Sequence, residues 1–97
     1  MFRHIVLVRW KPDADDARRD AVRAALAGLP AQIPEIRALH VGDDVGRGPN
    51  NFDLAVILDF DDRDAFRAYV AHPAHRAYAE GPGKAAVASL AVVQHPW

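Results

Sequence analysis

The sequence predicts an α+β fold of the ferredoxin-like type, in which one antiparallel sheet carries two helices on one face. Three observations support this class. Strand-like and helix-like segments follow one another in the order βαββαβ. The first and third strands are apolar on both faces, so each face needs a cover. The length of 97 residues favours a single domain spanning 1–97.

The first predicted strand covers residues 2–10, where side chains alternate between two faces. His4 and Val6 lie on one face, and Ile5 and Leu7 lie on the other. Helices can cover the His4 face, but so short a chain has nothing left to cover the Ile5 face. An exposed apolar face of this kind predicts a partner, and a symmetric homodimer is the commonest solution.

The first helix is predicted from an apolar stripe between Ala17 and Leu29 that repeats at helical spacing. Asp13 is the predicted N-cap, because its side chain can accept a hydrogen bond from a free N–H group of the first turn. Gly28 and Pro30 are predicted to end this helix.

The remaining elements are predicted from alternation, turn residues and capping signals. They are, in chain order, a strand at 36–45, a strand at 52–60, a helix at 63–71, a short helical turn at 74–79 and a strand at 87–95. Asp61 or Asp62 is the predicted N-cap of the second helix. Gly81, Pro82 and Gly83 are expected to end the short helical turn.

Composition excludes several classes of function. The net charge of −1 and the scattered arginines argue against nucleic-acid binding. The absence of cysteine excludes disulfide and thiolate chemistry. No apolar run reaches the roughly 20 residues that a membrane helix needs, and the N-terminus is typical of a strand rather than a signal peptide. We expect a soluble cytoplasmic protein without a membrane partner.

Four segments of the chain resemble the stress-responsive dimeric α/β-barrel (Dabb) family. They are residues 3–11 (RHIVLVRWK), 42–44 (GDD), 51–55 (NFDLA) and 69–75 (YVAHPAH). The last segment is the most specific, because it looks like the family's characteristic helix end. The resemblance covers essentially the whole chain. It implies a homodimer in which two sheets face each other in an α+β barrel with the helices outside.

The resemblance also implies a pocket between the sheet and the helices. One plant member, olivetolic acid cyclase, cyclises a linear polyketide without a cofactor, and its acid/base tyrosine and histidine match Tyr69 and His75. A strand-one histidine of that enzyme matches His4. Its apolar pocket positions correspond to Val6, Val8, Leu26 and Val56. We add His72 to the substrate-binding set and expect no cofactor.

The pocket is expected to differ in shape from that of the cyclase. Aromatic residues that narrow the cyclase pocket correspond to Val22, Arg23 and Leu26 here, and the last strand offers the small Ser89 and Ala91. The expected ligand is therefore a small apolar or polyketide-like molecule of unassigned structure.

Each candidate residue also has a purely structural interpretation. Tyr69 and His75 suit acid/base chemistry, because an imidazole titrates near neutral pH and a phenol donates a hydrogen bond. The alternative is that residues 72–75 are a folding motif whose rings bond to backbone groups, with Tyr69 in the core. A metal site formed by His4, His72 and His75 is a weaker hypothesis, since no fixed ligand spacing joins them. No metal is expected.

Three functions stay open on these grounds. The first is a small-molecule binder or a cofactor-free cyclase, lyase or isomerase that uses Tyr69 and His75. The second is a cofactor-independent monooxygenase of the antibiotic-biosynthesis type, which shares the dimeric barrel. The third is a non-catalytic, stress-protective structural dimer whose pocket is filled by side chains.

Overall fold

The fold is a four-stranded antiparallel sheet with helices packed on one face. A computed structural model describes residues 1–97. Its elements are, in chain order, β1 (Phe2–Trp10), α1 (Asp16–Gln32), β2 (Ala38–Asp43), β3 (Leu54–Phe60), α2 (Arg63–Ala71), α3 (Pro73–Tyr78), a wide π-helical turn (Ala79–Gly83), α4 (Lys84–Ala86) and β4 (Val87–Pro96). The predicted ferredoxin-like α+β class is confirmed.

The strand order in the sheet is β2-β3-β1-β4, and every neighbouring pair is antiparallel. In this register His4 of β1 lies opposite Leu58 of β3 and Gln94 of β4. Two positions further on, Val6 lies opposite Val92 of β4. Because directly opposed residues share a sheet face, these side chains all point toward the helices.

The first helix begins later than predicted. Its N-cap is Asp15, whose carboxylate accepts a hydrogen bond of 2.9 Å from the N–H of Arg18. Asp13 is not the cap, because Ala14 is buried and its N–H bonds to the carbonyl of Lys11. The turn that leaves β1 therefore extends through residue 14, and the next acidic residue takes the capping position.

The same helix also ends later than predicted. It continues past Gly28 and Pro30 to Gln32. A proline in the last turn removes only one backbone hydrogen bond. Leu29 and Ile33 are fully buried, and the N–H of Ile33 bonds to the carbonyl of Leu29. Core packing at the C-terminal end of α1 therefore outweighs the tendency of Gly28 and Pro30 to end the helix.

The second helical region is longer than the sequence indicates. Helix α2 covers Arg63–Ala71 as predicted, and its N-cap is Asp62. The chain turns at His72 and starts α3 at Pro73. The predicted break at residues 81–83 is wrong, since these residues form the wide turn that leads into α4.

The second and third strands along the chain are shorter than predicted. Strand β2 is restricted to Ala38–Asp43 and β3 begins at Leu54 rather than at residue 52. Ile36 is nevertheless buried, because it packs into the core from the connection before β2. The prediction for β2 was too long, because it counted every apolar residue near the strand, including residues that make no sheet hydrogen bonds.

The core lies between the sheet and the helices, and the opposite face of the sheet is uncovered. Fully buried side chains on the helix side include Val8, Leu58 and Phe60. On the other face, Leu7 is 37% exposed and Val93 is 59% exposed. Strand β1 is apolar on both faces, and the chain covers only the face that meets the helices. No helix is both long and apolar enough to cross a membrane.

Candidate functional site

A cavity of about 350 Å³ lies between the sheet and the helices α2 and α3. Strands β1, β3 and β4 form its floor, and α1 contributes Leu26. Most of its lining is apolar. The polar groups that reach it come from His4, Tyr69, His75, Tyr78 and Gln94. This volume is at the low end of the range typical of small-molecule sites.

The cavity brings together seven of the eight residues that the sequence predicted for a pocket. These residues are His4, Val6, Val8, Leu26, Val56, Tyr69 and His75. They come from five separate elements, and the sheet register and helix packing unite them. The roles assigned to them stay predictions.

His72 does not line the cavity. Its ring Nδ1 accepts a hydrogen bond of 3.0 Å from the N–H of Ala74 and so caps α3. Pro73 suits the first position of that helix, because its missing N–H would have no partner there. The folding-motif interpretation therefore fits His72, whose ring is held by backbone, and a substrate contact from it has no geometric support.

Tyr69 and His75 are in direct contact. Their ring centroids lie 4.6 Å apart with an interplanar angle of 58°. The turn at His72 between α2 and α3 allows this contact, because it redirects the chain so that both side chains face the cavity. The ring of His4 lies 6.3 Å from the ring of Tyr69. The side chains of His4, Tyr69 and His75, which can donate or accept protons, therefore line the same cavity.

The Tyr69 hydroxyl stays protonated over the physiological range. Burial raises the pKa of Tyr69 to about 12, and the nearby Tyr78 adds to the shift. No buried side-chain nitrogen or oxygen lacks a hydrogen-bond partner in the structure. The Tyr69 hydroxyl has no partner within the chain, so it is accessible from the cavity. It can therefore act as a hydrogen-bond donor to a bound molecule.

The two cavity histidines are neutral at pH 7. Burial lowers the pKa of His75, and a hydrogen bond to the backbone of Val70 partly opposes this effect. Burial also lowers the pKa of His4, and the proximity of His75 lowers it further. A neutral imidazole has one nitrogen with a free lone pair, so it can accept a proton.

The side chain of Gln94 holds the ring of His4. Its Nε2 lies 3.0 Å from Nδ1 of His4 across the β1–β4 pair. With the amide nitrogen donating, Nδ1 is the acceptor, and the proton of the neutral ring lies on Nε2. Gln94 thus orients a cavity imidazole from the edge strand of the sheet.

Sequence reasoning missed Gln94, Tyr78 and the residues of β4 that line the cavity. The predicted small positions Ser89 and Ala91 face the other side of the sheet, because they pair with Arg9 and Leu7. The lining residues of β4 are instead Leu90, Val92 and Gln94. One signal was present in the sequence, since Tyr78 lies three residues after His75 and so shares its helix face. The face of β4 follows from strand alternation only when its register with β1 is known.

Acidification is expected to destabilise the protein through its two cavity histidines. The pKa values of His4 and His75 are lowered from 6.5 in the folded state. Between the folded and the unfolded pKa the unfolded chain binds more protons, so the free energy of unfolding rises with pH in that window. This stability is fully present above about pH 6.5 and falls as the pH drops toward the folded values.

Thermal melts at fixed protein concentration and at several pH values between about 7.5 and 5 measure this effect. A His75→Gln variant removes one of the two groups and should lose less stability over that interval. An equal loss in the variant and the parent would show that His75 does not contribute.

The fold and the cavity together define the chain as a ferredoxin-like α+β protein with an open, mostly apolar cavity that is lined by two histidines. The sequence profile of the stress responsive A/B barrel domain family matches residues 2–95. The chain therefore belongs to the Dabb family, and the resemblance found in the sequence is confirmed.

Three known proteins illustrate the relationship. An uncharacterised protein of Streptomyces coelicolor is 33% identical over 79 residues, which cover 79% of this chain and 81% of the relative. A dimeric ferredoxin-like protein of unknown function from Thermobifida fusca has a TM-score of 0.87 and 38% identity, covering 99% of this chain and 90% of that chain. A hydroxynitrile lyase from Passiflora edulis has a TM-score of 0.87 at 22% identity, covering 97% of this chain and 90% of that chain. This last likeness shows the fold alone.

Proposed function

We propose that the protein binds a small, mostly apolar molecule in the cavity and catalyses a cofactor-independent proton transfer on it, as in a lyase or cyclase. His75 is the base, and Tyr69 is the hydrogen-bond donor to the oxygen on which negative charge develops. The observation that carries this proposal is the contact of these two rings, 4.6 Å apart, at the wall of one open cavity.

The protonation states of both residues support these roles. His75 is neutral at pH 7, because burial lowers its pKa. It can therefore take a proton from a carbon next to a carbonyl group, and the electron pair of that C–H bond forms an enolate. Tyr69 keeps its proton, because its pKa is about 12, and it can donate to the enolate oxygen. Transfer of the proton from the His75 imidazolium to the other face of the same carbon, or to a second carbon of the enolate system, completes an isomerisation. In a cyclisation the enolate carbon attacks a second carbonyl carbon, and the imidazolium protonates the alkoxide that forms.

The open cavity favours this proposal over a purely structural dimer. In a structural dimer, side chains such as those of Leu26, Phe66 and Tyr69 would fill the space. Here all three only line it, and about 350 Å³ is left. Leu90 and Val92 are exposed at this open cavity, and a bound apolar ligand would remove their surface from water.

Hydrogen–deuterium exchange of phenylacetone tests the chemistry. In D₂O, His75 would remove a benzylic proton, Tyr69 would donate to the enolate oxygen, and a deuteron from the exchanged imidazole would return to the carbon. Loss of the methylene signal in proton NMR should exceed the rate in buffer. A Tyr69→Phe variant keeps the ring and should slow exchange by roughly 10²–10³-fold, as expected for the loss of one oxyanion donor. A wild-type rate equal to that of buffer would refute the proton-transfer proposal.

We also propose that the protein is a homodimer whose uncovered sheet faces pack against each other in an α+β barrel. Ile5, Leu7, Ile57 and Val93 lie on this face, which no element of the chain covers. The 38% identical Thermobifida fusca structure is described as dimeric. Burying this face would remove a large apolar area from water.

A Leu7→Lys variant is expected to weaken or abolish the dimer, because it places a charge at the centre of the proposed interface. Size-exclusion chromatography with light scattering at micromolar concentration gives the mass of each species. An Ala24→Lys variant, which adds the same charge on the exposed side of α1, should keep the dimer mass. A monomer mass for the unmodified protein would contradict the proposal.

A further inference from the structure

The cavity is lined by no side chain that carries a formal charge at neutral pH. None of its lining residues is Asp, Glu, Lys or Arg. Its two histidines are kept neutral by burial. The five ion pairs of the structure involve none of the lining residues.

This absence of charge is specific to the cavity. A separate cleft beside Trp10 is lined by Arg19, Arg23 and Arg47 together with several aspartates. Charged side chains are thus available on this small protein, but the helix-side cavity has none. An ion that entered the cavity would lose its hydration shell and gain no opposite charge, which is unfavourable.

Tyr78 brings a second hydroxyl to the cavity. It lies on α3 three residues after His75, so both side chains share one helix face. The ring of Tyr78 packs closely against Gly83 of the wide turn. A Cβ atom at this glycine would lie 3.4 Å from Cζ of Tyr78. Tyr78 lines the cavity, and its hydroxyl makes no hydrogen bond within the chain, so this group can bond to a molecule there.

We propose that the ligand of this cavity is an uncharged molecule with an oxygen acceptor, such as a ketone or an aldehyde, and that Tyr78 is the residue that selects it. The Tyr78 hydroxyl donates a hydrogen bond to this oxygen alongside Tyr69. The uncharged lining disfavours carboxylates, phosphates and amines. This inference rests on the proposed function, because it names the chemical class of ligand that the same cavity accepts.

Three probes of nearly equal shape test the proposal. Phenylacetone is uncharged and has a carbonyl acceptor, phenylacetate replaces its methyl group by a carboxylate oxygen, and isobutylbenzene has no oxygen. Dissociation constants come from titrations followed in ¹⁵N-resolved NMR spectra. The protein has only two tyrosines, and both line the cavity, so selectively labelled tyrosine reports on its occupancy.

Phenylacetone should bind at least about tenfold more tightly than phenylacetate, because only the second probe brings an unpaired charge. A Tyr78→Phe variant keeps the ring against Gly83 and should raise the dissociation constant of phenylacetone by about 2- to 10-fold. Its affinity for isobutylbenzene should not change. Thermal melts of this variant check that the fold is kept.

Equal or tighter binding of phenylacetate would overturn the charge argument. An unchanged affinity of Tyr78→Phe for phenylacetone would overturn the role of Tyr78. The binding measurements and the exchange assay test different proposals. If phenylacetone binds selectively but does not exchange deuterium, the proposed chemistry is refuted and the ligand class is supported. If phenylacetone exchanges deuterium but does not bind selectively, the ligand class is refuted and the proposed chemistry is supported.

Discussion

Replacing His75 by glutamine is expected to slow the deuterium exchange of phenylacetone by about 10²–10⁴-fold, the usual contribution of a general base. Glutamine keeps a polar side chain at the cavity wall but cannot take up a proton at neutral pH. His75 is only half-buried and its ring bonds to the backbone of Val70 rather than to another side chain, so the fold should be kept. Proton NMR of the substrate measures the rate, and circular dichroism checks the fold.

The pH dependence of the same reaction gives a second test of His75. Only the neutral imidazole can act as the base, and its pKa is lowered from 6.5. The exchange rate should therefore be constant around neutrality and fall below pH 6.5. Tyr69 adds no loss of rate on the basic side until far above neutrality, because its pKa is about 12.

A matched control separates the effect of His75 from that of losing any histidine. His40 is exposed on β2 and lies opposite Ile57 on the uncovered sheet face, away from the cavity, so the dimer mass of its variant is checked together with its rate. A His40→Gln variant should keep the wild-type rate. If His75→Gln also kept that rate, His75 would not be the base. A large drop in its melting temperature would instead favour the folding-motif interpretation of this segment.

Replacing Phe60 by alanine is expected to lower the free energy of unfolding by about 3–5 kcal/mol, the typical cost of removing a buried aromatic side chain. Phe60 is fully buried at the end of β3. Its ring centroid lies 5.2 Å from that of Tyr69 and 5.7 Å from that of Phe66. The substitution removes the support beneath two cavity residues, and the space left cannot be filled without moving α2.

Urea unfolding at one fixed protein concentration measures this loss, because stability depends on concentration if the protein is a dimer. A Val45→Ala variant in the exposed loop before β3 is the control and should change stability by less than about 0.5 kcal/mol. Val45 is 91% exposed. A Phe60→Ala variant as stable as this control would show that the aromatic cluster does not hold the fold together.

Patterns along the chain were enough to predict the element order, the residues of α2 and the face of β1 that meets the helices. Each of these follows from periodicity, which is a local property of the chain. His4 and Val6 could be placed on the helix side because alternate residues of a strand share a face. The YVAHPAH segment also pointed to Tyr69 and His75 before any geometry was known.

Which further polar groups meet in the cavity depends on long-range packing and could not be predicted from the sequence. Gln94 reaches His4 through the register of β4 on β1, and a strand's partner and register are long-range properties. Tyr78 faces the cavity because Gly83 in the wide turn packs on its ring, although this turn contains residues that normally end a helix. Helix α1 likewise extends past Pro30, because buried Leu29 and Ile33 anchor its end. The cavity itself depends on how completely side chains fill the space between two layers, and that is fixed only when the layers pack.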